Sequence, residues 1–362
     1  MNQALGLAAQ ALFLSSPNPR VGCVLMAPDG RVVGQGFTQQ AGGPHAEVMA
    51  LRDAVARGED VRGATAYVTL EPCSHQGRTG PCCDALIAAG VAKVVGALTD
   101  PNPQVAGQGF ARLRAAGVDV VVGPGADESR ELNIGFFSRM LRGIPWVRMK
   151  AASSLDGATA LHNGTSQWIT SPEARADGHA WRARACTLLT GIGTVLEDDP
   201  RLNVRDVATP RQPRIAVVDS RLDMPLTARA LQGPAECLIY TSSRDASKTS
   251  ALQDLGATVI PMPNEHGKVD LCAMLRDLAA RGTNELHVEA GFKLNGSLVR
   301  EGLVDELLLY LAPKLLGTGG MGIASFGPLD ALSEALALAL HDVQRIGPDL
   351  RVVARVVDRA SF

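Results

Sequence analysis

The chain has 362 residues, of which 46% are hydrophobic and 20% are charged, and its formal net charge is −2. This composition is typical of a folded globular protein that is long enough for two domains. Because lysine and arginine form no block, electrostatic capture of nucleic acid is disfavoured, and a small-molecule substrate is the first hypothesis.

The N-terminus and the cysteines bear on the cellular compartment. Residues 1–14 are apolar but short, lack a cationic leader and continue into a polar turn, so we interpret them as a first helix and not as a signal peptide. We find no stretch that is long and apolar enough to span a membrane. The seven cysteines are unevenly placed and do not resemble a disulfide framework, which favours the reducing cytoplasm.

Predicted elements alternate between helix and strand in the first part of the chain. They are helix 2–14, strand 21–27, strand 31–36, helix 44–57, strand 66–70, helix 81–89, strand 93–98, helix 106–116 and strand 118–123. This alternation predicts an α/β domain over residues 1–123. Residues 124–145 predict a connector with one amphipathic helix, bounded by Gly-Pro and Gly-Ile-Pro.

The alternation starts again in residues 146–362 and predicts a second α/β domain. Ser171, Pro172 and Glu173 supply a cap residue, a proline and an acid, which together predict the start of a helix. The other elements are strands 146–152, 187–191, 214–220, 236–242, 257–262, 285–291 and 305–313, and helix 269–281. We find no internal repeat between the two halves.

Three potential metal ligands form the strongest cluster in the sequence, His45, Cys73 and Cys82. A catalytic zinc site typically has three protein ligands of this kind and keeps a fourth position for water. Glu47 lies two residues after His45, so the pair can share one site best at the mouth of a helix, where side chains project past its end. Cys82 follows Pro81 and is expected at a helix N-terminus, which favours a thiolate.

These residues predict hydrolytic deamination. Zinc would lower the pKa of a bound water, and Glu47 would carry its proton to the ring nitrogen and the departing ammonia. A histidine two positions before a glutamate, followed by Pro-Cys, is typical of zinc deaminases, although their cysteines are usually separated by two residues and here by eight. The alternative is a structural zinc site closed by Cys83 or His75; we interpret Cys83 as a buried apolar residue and His75 as facing substrate.

Motifs along nearly the whole chain resemble the bifunctional deaminase–reductases of riboflavin biosynthesis. In the first part they are SPNPRVGCV (16–24), HAE (45–47), LEPCSH (70–75), GRT (77–79) and TDPNP (99–103). In the second part they are SLDG (154–157), SQWITS (166–171), TVLEDDP (194–200) and VEAG (288–291). The chain departs from the family pattern at Gly80, where proline is usual, and at Phe292 and Lys293.

The resemblance implies a cytidine-deaminase-like three-layer α/β/α domain followed by a dihydrofolate-reductase-like α/β domain. The first would use Zn²⁺, one ion per chain, to deaminate 2,5-diamino-6-(5-phosphoribosylamino)pyrimidin-4(3H)-one. The second would use NADPH to reduce the ribosyl group, giving 5-amino-6-(5-phosphoribitylamino)uracil. We expect a homo-oligomer, either a dimer or a tetramer.

The resemblance also assigns ligand contacts. For the deaminase it implies substrate contacts from Asn18, His75, Arg78 and Asn102; both asparagines lie in sequences that also favour turns. For the reductase it assigns substrate contacts to Ser166, Arg182, Leu202, Arg205 and Glu289. It assigns NADPH contacts to Ala152, Trp168, Thr194, Asp198, Ser220, Gly291, Phe292, Lys293, Leu294, Asn295, Gly296 and Ser297.

Independent support for the dinucleotide site is weaker. The second part lacks a Gly-x-Gly-x-x-Gly motif after its first strand, so a standard Rossmann site is disfavoured. Gly191 and Gly291 each follow a predicted strand, where they favour either a phosphate-binding turn or simply a tight turn from the strand into a helix. Two interpretations of Lys150 are left open: its side chain either contacts substrate or cofactor, or is only solvated.

Two further alternatives concern the function. The first is a deaminase that acts on cytidine or on a tRNA adenosine. Such an enzyme would either lack a second domain of this kind or carry a basic surface for RNA. A zinc-stabilised binding module would not turn over, and would therefore be indifferent to loss of Glu47.

Overall fold

Two β-sheets organise the structure, one in each half of the chain. The computed structural model describes residues 1–74, 80–103 and 105–362. These residues group into two units, Met1–Gly143 and Ile144–Phe362. The limits that we predict for the functional domains, 1–123 and 146–362, stay predictions.

The sheet of the first unit has an antiparallel edge and a parallel remainder. Its strands, as far as the chain is described, are β1 (Gly22–Met26), β2 (Val32–Phe37), β3 (Thr65–Val68), β4 (Lys93–Gly96) and β5 (Asp119–Val122). Their order is β2-β1-β3-β4-β5, with β1 antiparallel to β2 and β3, and β3, β4 and β5 parallel. The parallel strands therefore bring the segments that follow β3 and β4 to the same edge of the sheet.

Helices cover both faces of this sheet. They are α1 (Asn2–Gln10), α2 (Ala46–Ala56), α3 (Cys82–Ala88), α4 (Gln108–Ala115), α5 (Ala126–Leu132) and α6 (Ile134–Arg142). Glycine permits the closest approaches on the two faces: a Cβ at Gly22 would lie 1.9 Å from the carbonyl oxygen of Ala4 in α1, and one at Gly36 would lie 2.6 Å from the amide nitrogen of Ala50 in α2. Since Gly36 pairs with Cys23, the neighbour of Gly22, α1 and α2 lie on opposite faces.

The predicted connector differs from the structure. Residues 124–145 contain two consecutive helices, α5 and α6, where the sequence predicts one. The two helices meet at Asn133, whose backbone leaves helical geometry (φ −114°, ψ 17°). Its side chain is bound to a distant segment: Oδ1 accepts the amide hydrogen of Arg20 at 2.7 Å, and Nδ2 donates to the carbonyl of Arg20 at 3.0 Å. Both helices belong to the first unit.

The second unit is built on a larger sheet. Its strands within the described chain are β6 (Trp146–Ser154), β7 (Thr187–Gly191), β8 (Arg214–Val218), β9 (Cys237–Thr241), β10 (Thr258–Pro261), β11 (Glu285–Val288), β12 (Glu306–Ala312), β13 (Leu338–Ile346) and β14 (Asp349–Val356). The order is β10-β9-β8-β7-β11-β6-β12-β14-β13. The seven strands from β10 to β12 in this order are parallel, and β14 pairs antiparallel with both β12 and β13.

The helices of the second unit follow the parallel strands. They are α7 (Pro172–Arg184), α8 (Ile192–Asp198), α9 (Ala246–Asp254), α10 (Leu271–Ala280) and α11 (Phe292–Arg300). The cap predicted for α7 is confirmed, since the Ser171 hydroxyl accepts the amide hydrogen of Ala174 and Pro172 occupies the first helical position. The sequence did not predict α9 or the β13–β14 hairpin.

Two of the apolar clusters in the second unit lie on opposite faces of its sheet. One contains Met149, Leu275 and Leu286, and the other contains Leu188, Ile215 and Ile239. None of the helices in the described part of the chain is long and apolar enough to cross a membrane.

Candidate active sites

The three predicted metal ligands meet in the first unit. His45 is the N-cap residue of α2, Cys73 follows β3, and Cys82 is the first residue of α3. The Nδ1 atom of His45 lies 3.6 Å from Sγ of Cys73 and 3.4 Å from Sγ of Cys82, and all three ligand atoms lie within 4.8 Å of one another. The three ligands meet although His45 and Cys82 lie 37 positions apart in the sequence.

These distances fit zinc. Zn–S and Zn–N bonds of ordinary length, arranged tetrahedrally, place a sulfur and a nitrogen ligand about 3.6 Å apart. Cys83, the alternative fourth ligand, is fully buried, and its Sγ atom instead contacts Oδ1 of Asp84 at 3.7 Å. The described residues thus supply a set of one nitrogen and two sulfur ligands, which is the type that leaves a coordination position open.

Glu47 lies beside this ligand set. His45 has extended backbone outside α2 while Glu47 sits in the first turn, and this helix mouth lets two residues so close in sequence reach one site. The Glu47 side chain is buried, and burial, together with the nearby Cys73 thiolate, raises its pKa to about 7. A carboxyl group in this environment can both accept and donate a proton near neutral pH.

The two cysteines share a network of hydrogen bonds. Hydrogen bonds from the Cys82 thiol, from the Cys82 backbone N–H at 3.4 Å and from the His45 ring lower the pKa of the Cys73 thiol. The same thiol–thiol bond raises the pKa of Cys82. Cys73 is thus the thiol of the pair that ionises more readily, and a bound cation would favour the thiolate at both positions.

The predicted substrate contacts of this unit are placed only in part. His75 and Arg78 lie outside the described residues. Asn18 and Asn102 are half-buried and lie in turns: the amide of Asn18 donates to the carbonyl of Ser15 at 2.9 Å, and the amide of Asn102 donates to Oδ1 of Asp100 at 2.8 Å. The turn interpretation is therefore correct for both backbones, and the ligand role of both side chains stays a prediction.

A separate cavity of about 1570 Å³ lies in the second unit, at the carboxyl ends of its parallel strands. Most residues that the sequence assigns to the second reaction line it. The predicted cofactor contacts among them are Ala152, Trp168, Thr194, Asp198, Ser220, Gly291, Phe292, Lys293, Leu294 and Asn295. The predicted substrate contacts among them are Ser166, Arg182, Leu202, Arg205 and Glu289.

Two predicted cofactor contacts, Gly296 and Ser297, follow Asn295 in α11. A Cβ at Gly296 would lie 1.9 Å from the carbonyl oxygen of Ser325, so this glycine packs against backbone. The Ser297 hydroxyl donates to the carbonyl of Lys293 within the helix. Neither residue belongs to the cavity lining in the described part of the chain, and their predicted contact with NADPH has no support from this geometry.

An ion pair crosses the wall of the cavity. Nε and Nη2 of Arg182 donate to the two carboxylate oxygens of Glu289 at 2.5 and 2.7 Å. Although burial opposes ionisation, the Arg182 guanidinium holds the pKa of Glu289 well below its usual range. Lys150 lines the same cavity, and burial lowers its pKa. The wall therefore contains an ion pair and a lysine that loses its proton more readily than an exposed lysine does.

The cavity wall also contains residues that lie in none of the sequence motifs. Arg175 and His179 line the cavity, and the Arg175 guanidinium lies 4.5 Å from the centre of the Trp168 ring. They precede Arg182 by seven and three residues on α7, and that spacing places all three on one helix face. The i, i+4, i+7 spacing of residues 175, 179 and 182 was the sequence signal that could have identified Arg175 and His179 as cavity residues.

Two sequence profiles match the chain. The profile described as the cytidine and deoxycytidylate deaminase zinc-binding region matches residues 1–98, and the profile described as the RibD C-terminal domain matches residues 145–352. The first match covers the zinc-ligand cluster, and the second covers the cavity. The predicted order of a cytidine-deaminase-like domain and a reductase domain is confirmed.

Curated proteins are similar to the chain over nearly its full length. The riboflavin biosynthesis protein RibD of Escherichia coli K12 is 45% identical over 97% of this chain and 96% of its own. The protein of the same name from Haemophilus influenzae is 43% identical over 97% of this chain and 95% of its own.

Solved structures agree with these similarities. Acinetobacter baumannii RibD, form 1, superposes with a TM-score of 0.89 at 40% identity and covers 98% of this chain and 97% of its own. A diaminohydroxyphosphoribosylaminopyrimidine deaminase/5-amino-6-(5-phosphoribosylamino)uracil reductase from Thermotoga maritima superposes with a TM-score of 0.88 at 32% identity, with the same coverage.

Proposed function

The chain belongs to the RibD family of bifunctional deaminase–reductases in riboflavin biosynthesis, and on this premise we propose which residues perform its two reactions. The first unit removes the 2-amino group of 2,5-diamino-6-(5-phosphoribosylamino)pyrimidin-4(3H)-one by hydrolysis. The second reduces the ribosyl group of the product to ribityl, giving 5-amino-6-(5-phosphoribitylamino)uracil. One observation carries the proposal: a three-ligand metal cluster beside a buried glutamate shares the chain with a separate large cavity.

His45, Cys73 and Cys82 hold Zn²⁺ in the first unit. Zinc in such a site makes a water molecule reactive toward an electrophilic carbon at neutral pH. Glu47 stands close enough to Cys82 to hydrogen-bond its thiol, which places its carboxyl at the edge of the ligand set. Glu47 accepts a proton from the attacking water and donates it to the ring nitrogen. It then takes the proton of the hydroxyl group formed on the carbon and donates it to the amino group, which leaves as ammonia.

Side chains around the cluster select the substrate. Asn102 offers a donor and an acceptor to the edge of the pyrimidine, and Asn18 does the same from the turn after α1. His75 and Arg78 carry the recognition of the ribose phosphate, since arginine matches phosphate geometry with paired hydrogen bonds.

NADPH supplies the hydride for the second reaction. Gly291 is the N-cap residue of α11, has no side chain of its own to cap the helix, and leaves backbone N–H groups for an anionic group of the cofactor. Trp168 is 63% exposed at the cavity and offers an apolar face to a ring of the cofactor. Arg182 and Arg205 bind the sugar phosphate, while Glu289 fixes the Arg182 guanidinium in place.

We extend the proposal to assembly and location. β13 is an edge strand of its sheet and leaves Leu338, Leu340 and Val343 exposed. An unpaired apolar edge favours pairing with another chain, which supports a homo-oligomer, a dimer or a tetramer. Residence in the cytoplasm is supported by the cysteines, which are all free thiols in this structure.

The two-step scheme is tested by giving the purified, zinc-loaded chain its pyrimidine substrate with and without NADPH. We expect ammonia release without NADPH, and NADPH oxidation only once deaminated product has formed. NADPH oxidation that does not depend on the substrate would overturn the reductase assignment. Absence of ammonia release from zinc-loaded protein would overturn the deaminase assignment.

A further inference from the structure

Glu71 is a buried carboxylate next to the metal cluster that the two reactions leave without a role. It lies two residues before Cys73 and is 4% exposed. Its two oxygens accept four backbone N–H groups that lie 29 to 39 residues further along the chain. A side chain with this many long-range bonds determines where a segment of backbone lies.

The bonds of one oxygen close a loop. Oε2 of Glu71 accepts the amide hydrogen of Asp100 at 3.1 Å and that of Gly107 at 2.8 Å. The loop between these residues carries Asn102. Its amide binds Asp100, and its carbonyl accepts the amide hydrogen of Val105 at 2.8 Å. Asn102 therefore lies in a loop whose two ends, at Asp100 and Gly107, both bind Oε2 of Glu71.

The other oxygen caps a helix. Gly107 is the N-cap residue of α4 and has no side chain to bond the first free N–H groups. Oε1 of Glu71 accepts those of Gly109 at 2.8 Å and Phe110 at 3.2 Å. An anion at this end of the helix is also favoured by the helix dipole. Glu71 thus supplies the cap that α4 lacks locally.

The same helix is pressed against the backbone beside Cys73. A Cβ at Gly109 would lie 1.9 Å from the carbonyl oxygen of Pro72, so only glycine fits there. Since β3 and β4 are parallel neighbours, the segments after them, which carry Cys73 and Asn102, leave the same edge of the sheet. Glu71 fastens these two segments to each other.

We propose that Glu71 is a positioning residue of the deaminase, which sets the place of Asn102 relative to the zinc ligands and thereby the affinity for the pyrimidine. This inference rests on the proposed deaminase function. A mispositioned loop weakens substrate binding more than turnover, so the effect belongs in KM. The reductase, on the other unit of the same chain, serves as the internal control.

Glu71→Gln tests the inference, because the glutamine amide replaces one of the two acceptor oxygens by an NH2 group, which then faces N–H groups that are themselves donors. In the full-length zinc-loaded chain, we expect the deaminase KM to rise by about 10- to 100-fold. Activity is expressed per bound zinc, kcat should fall much less than KM rises, and reductase activity on deaminated substrate should not change. Glu128→Gln, the same substitution at an exposed position of α5, should leave both activities unchanged.

A double mutant separates positioning from general stability. If Glu71 acts through Asn102, then E71Q should raise KM much less in an N102A background than in the parental chain. KM effects that simply multiply would overturn the inference, as would an unchanged KM in E71Q or a loss of activity that follows zinc content alone. If E71Q does not fold, E71D is tested in its place. It keeps the carboxylate but shortens the side chain by one methylene group, and it should also raise KM. A parental chain that releases no ammonia would overturn the proposed function instead.

Discussion

Arg182 on α7 and Glu289 at the end of β11 form an ion pair through two parallel hydrogen bonds at the cavity wall. The guanidinium also donates to the carbonyl of Asn203 at 3.0 Å. Both charged groups are mostly buried, at 17% and 15% side-chain exposure. A buried pair of this kind keeps its geometry before substrate arrives, which is what a preorganised phosphate site requires.

Arg182→Lys is expected to impair the reductase selectively. Lysine keeps the charge but loses the planar fork that binds both oxygens of Glu289. Loss of one hydrogen bond between charged groups costs about 1.5–3 kcal/mol, which corresponds to about 10- to 160-fold in kcat/KM. Steady-state NADPH oxidation with the deaminated substrate measures the effect.

Ammonia release by Arg182→Lys should equal that of the parental chain, because the substitution lies in the second unit. Arg276→Lys, on the exposed side of α10, is the matched control and should leave both activities intact. An R182K protein with parental kcat/KM for NADPH oxidation would contradict the role given to the pair.

Glu47→Gln is expected to abolish most deamination while zinc stays bound. The amide fills the same buried space but cannot accept the proton of the attacking water. General acid–base groups contribute about 10²–10⁴-fold to rate, so kcat for ammonia release should fall by that factor. Zinc content by atomic emission and reductase activity on deaminated substrate should both match the parental chain. Parental rates of ammonia release in E47Q would favour a binding or structural role for the metal cluster.

The features that the sequence predicts well depend on residues that are near neighbours in the chain. Ser171 caps α7 through a bond to Ala174, and His45 with Glu47 forms the mouth of α2, so short motifs were sufficient. The ligands Cys73 and Cys82 were recognisable because few other residue types bind zinc.

The features that sequence analysis missed depend on partners far away. The predicted connector helix divides at Asn133, and the side chain at this break binds Arg20, which lies 113 residues earlier. β13 lacks alternation of buried and exposed residues, since nearly all of its side chains are exposed, and so it gives no strand pattern. Glu71 stands in a recognisable motif, but its four partners follow from tertiary structure alone.

Removal of zinc is expected to separate the two activities. The three ligand atoms belong to the first unit, and the cavity of the second unit contains none of them. Dialysis against a chelator should therefore abolish ammonia release and leave NADPH oxidation with deaminated substrate unchanged. Stoichiometric Zn²⁺ should restore ammonia release. Equal loss of both activities would show that the second reaction also depends on the metal.

Arg148→Met is expected to destabilise the second unit without touching its cavity. Arg148 is 1% exposed and binds Glu285, at 2.9 Å, and Glu306 within the sheet. Removal of one member of a buried ionic network leaves charges without compensation and costs about 3–5 kcal/mol. The lower end of that range is expected, because Glu285 keeps Arg184 and Glu306 keeps Arg355 as partners.

Tryptophan fluorescence during urea denaturation measures this loss in the second unit alone, because the three tryptophans of the chain, Trp146, Trp168 and Trp181, all lie there. The transition midpoint should move to lower urea in R148M and stay unchanged in R276M, which makes the same substitution on the surface of α10. Ammonia release in the absence of urea should be unaffected by either variant. If R148M unfolded at the parental midpoint, the network would contribute no net stability, and its arginine could be replaced by an apolar side chain of similar length.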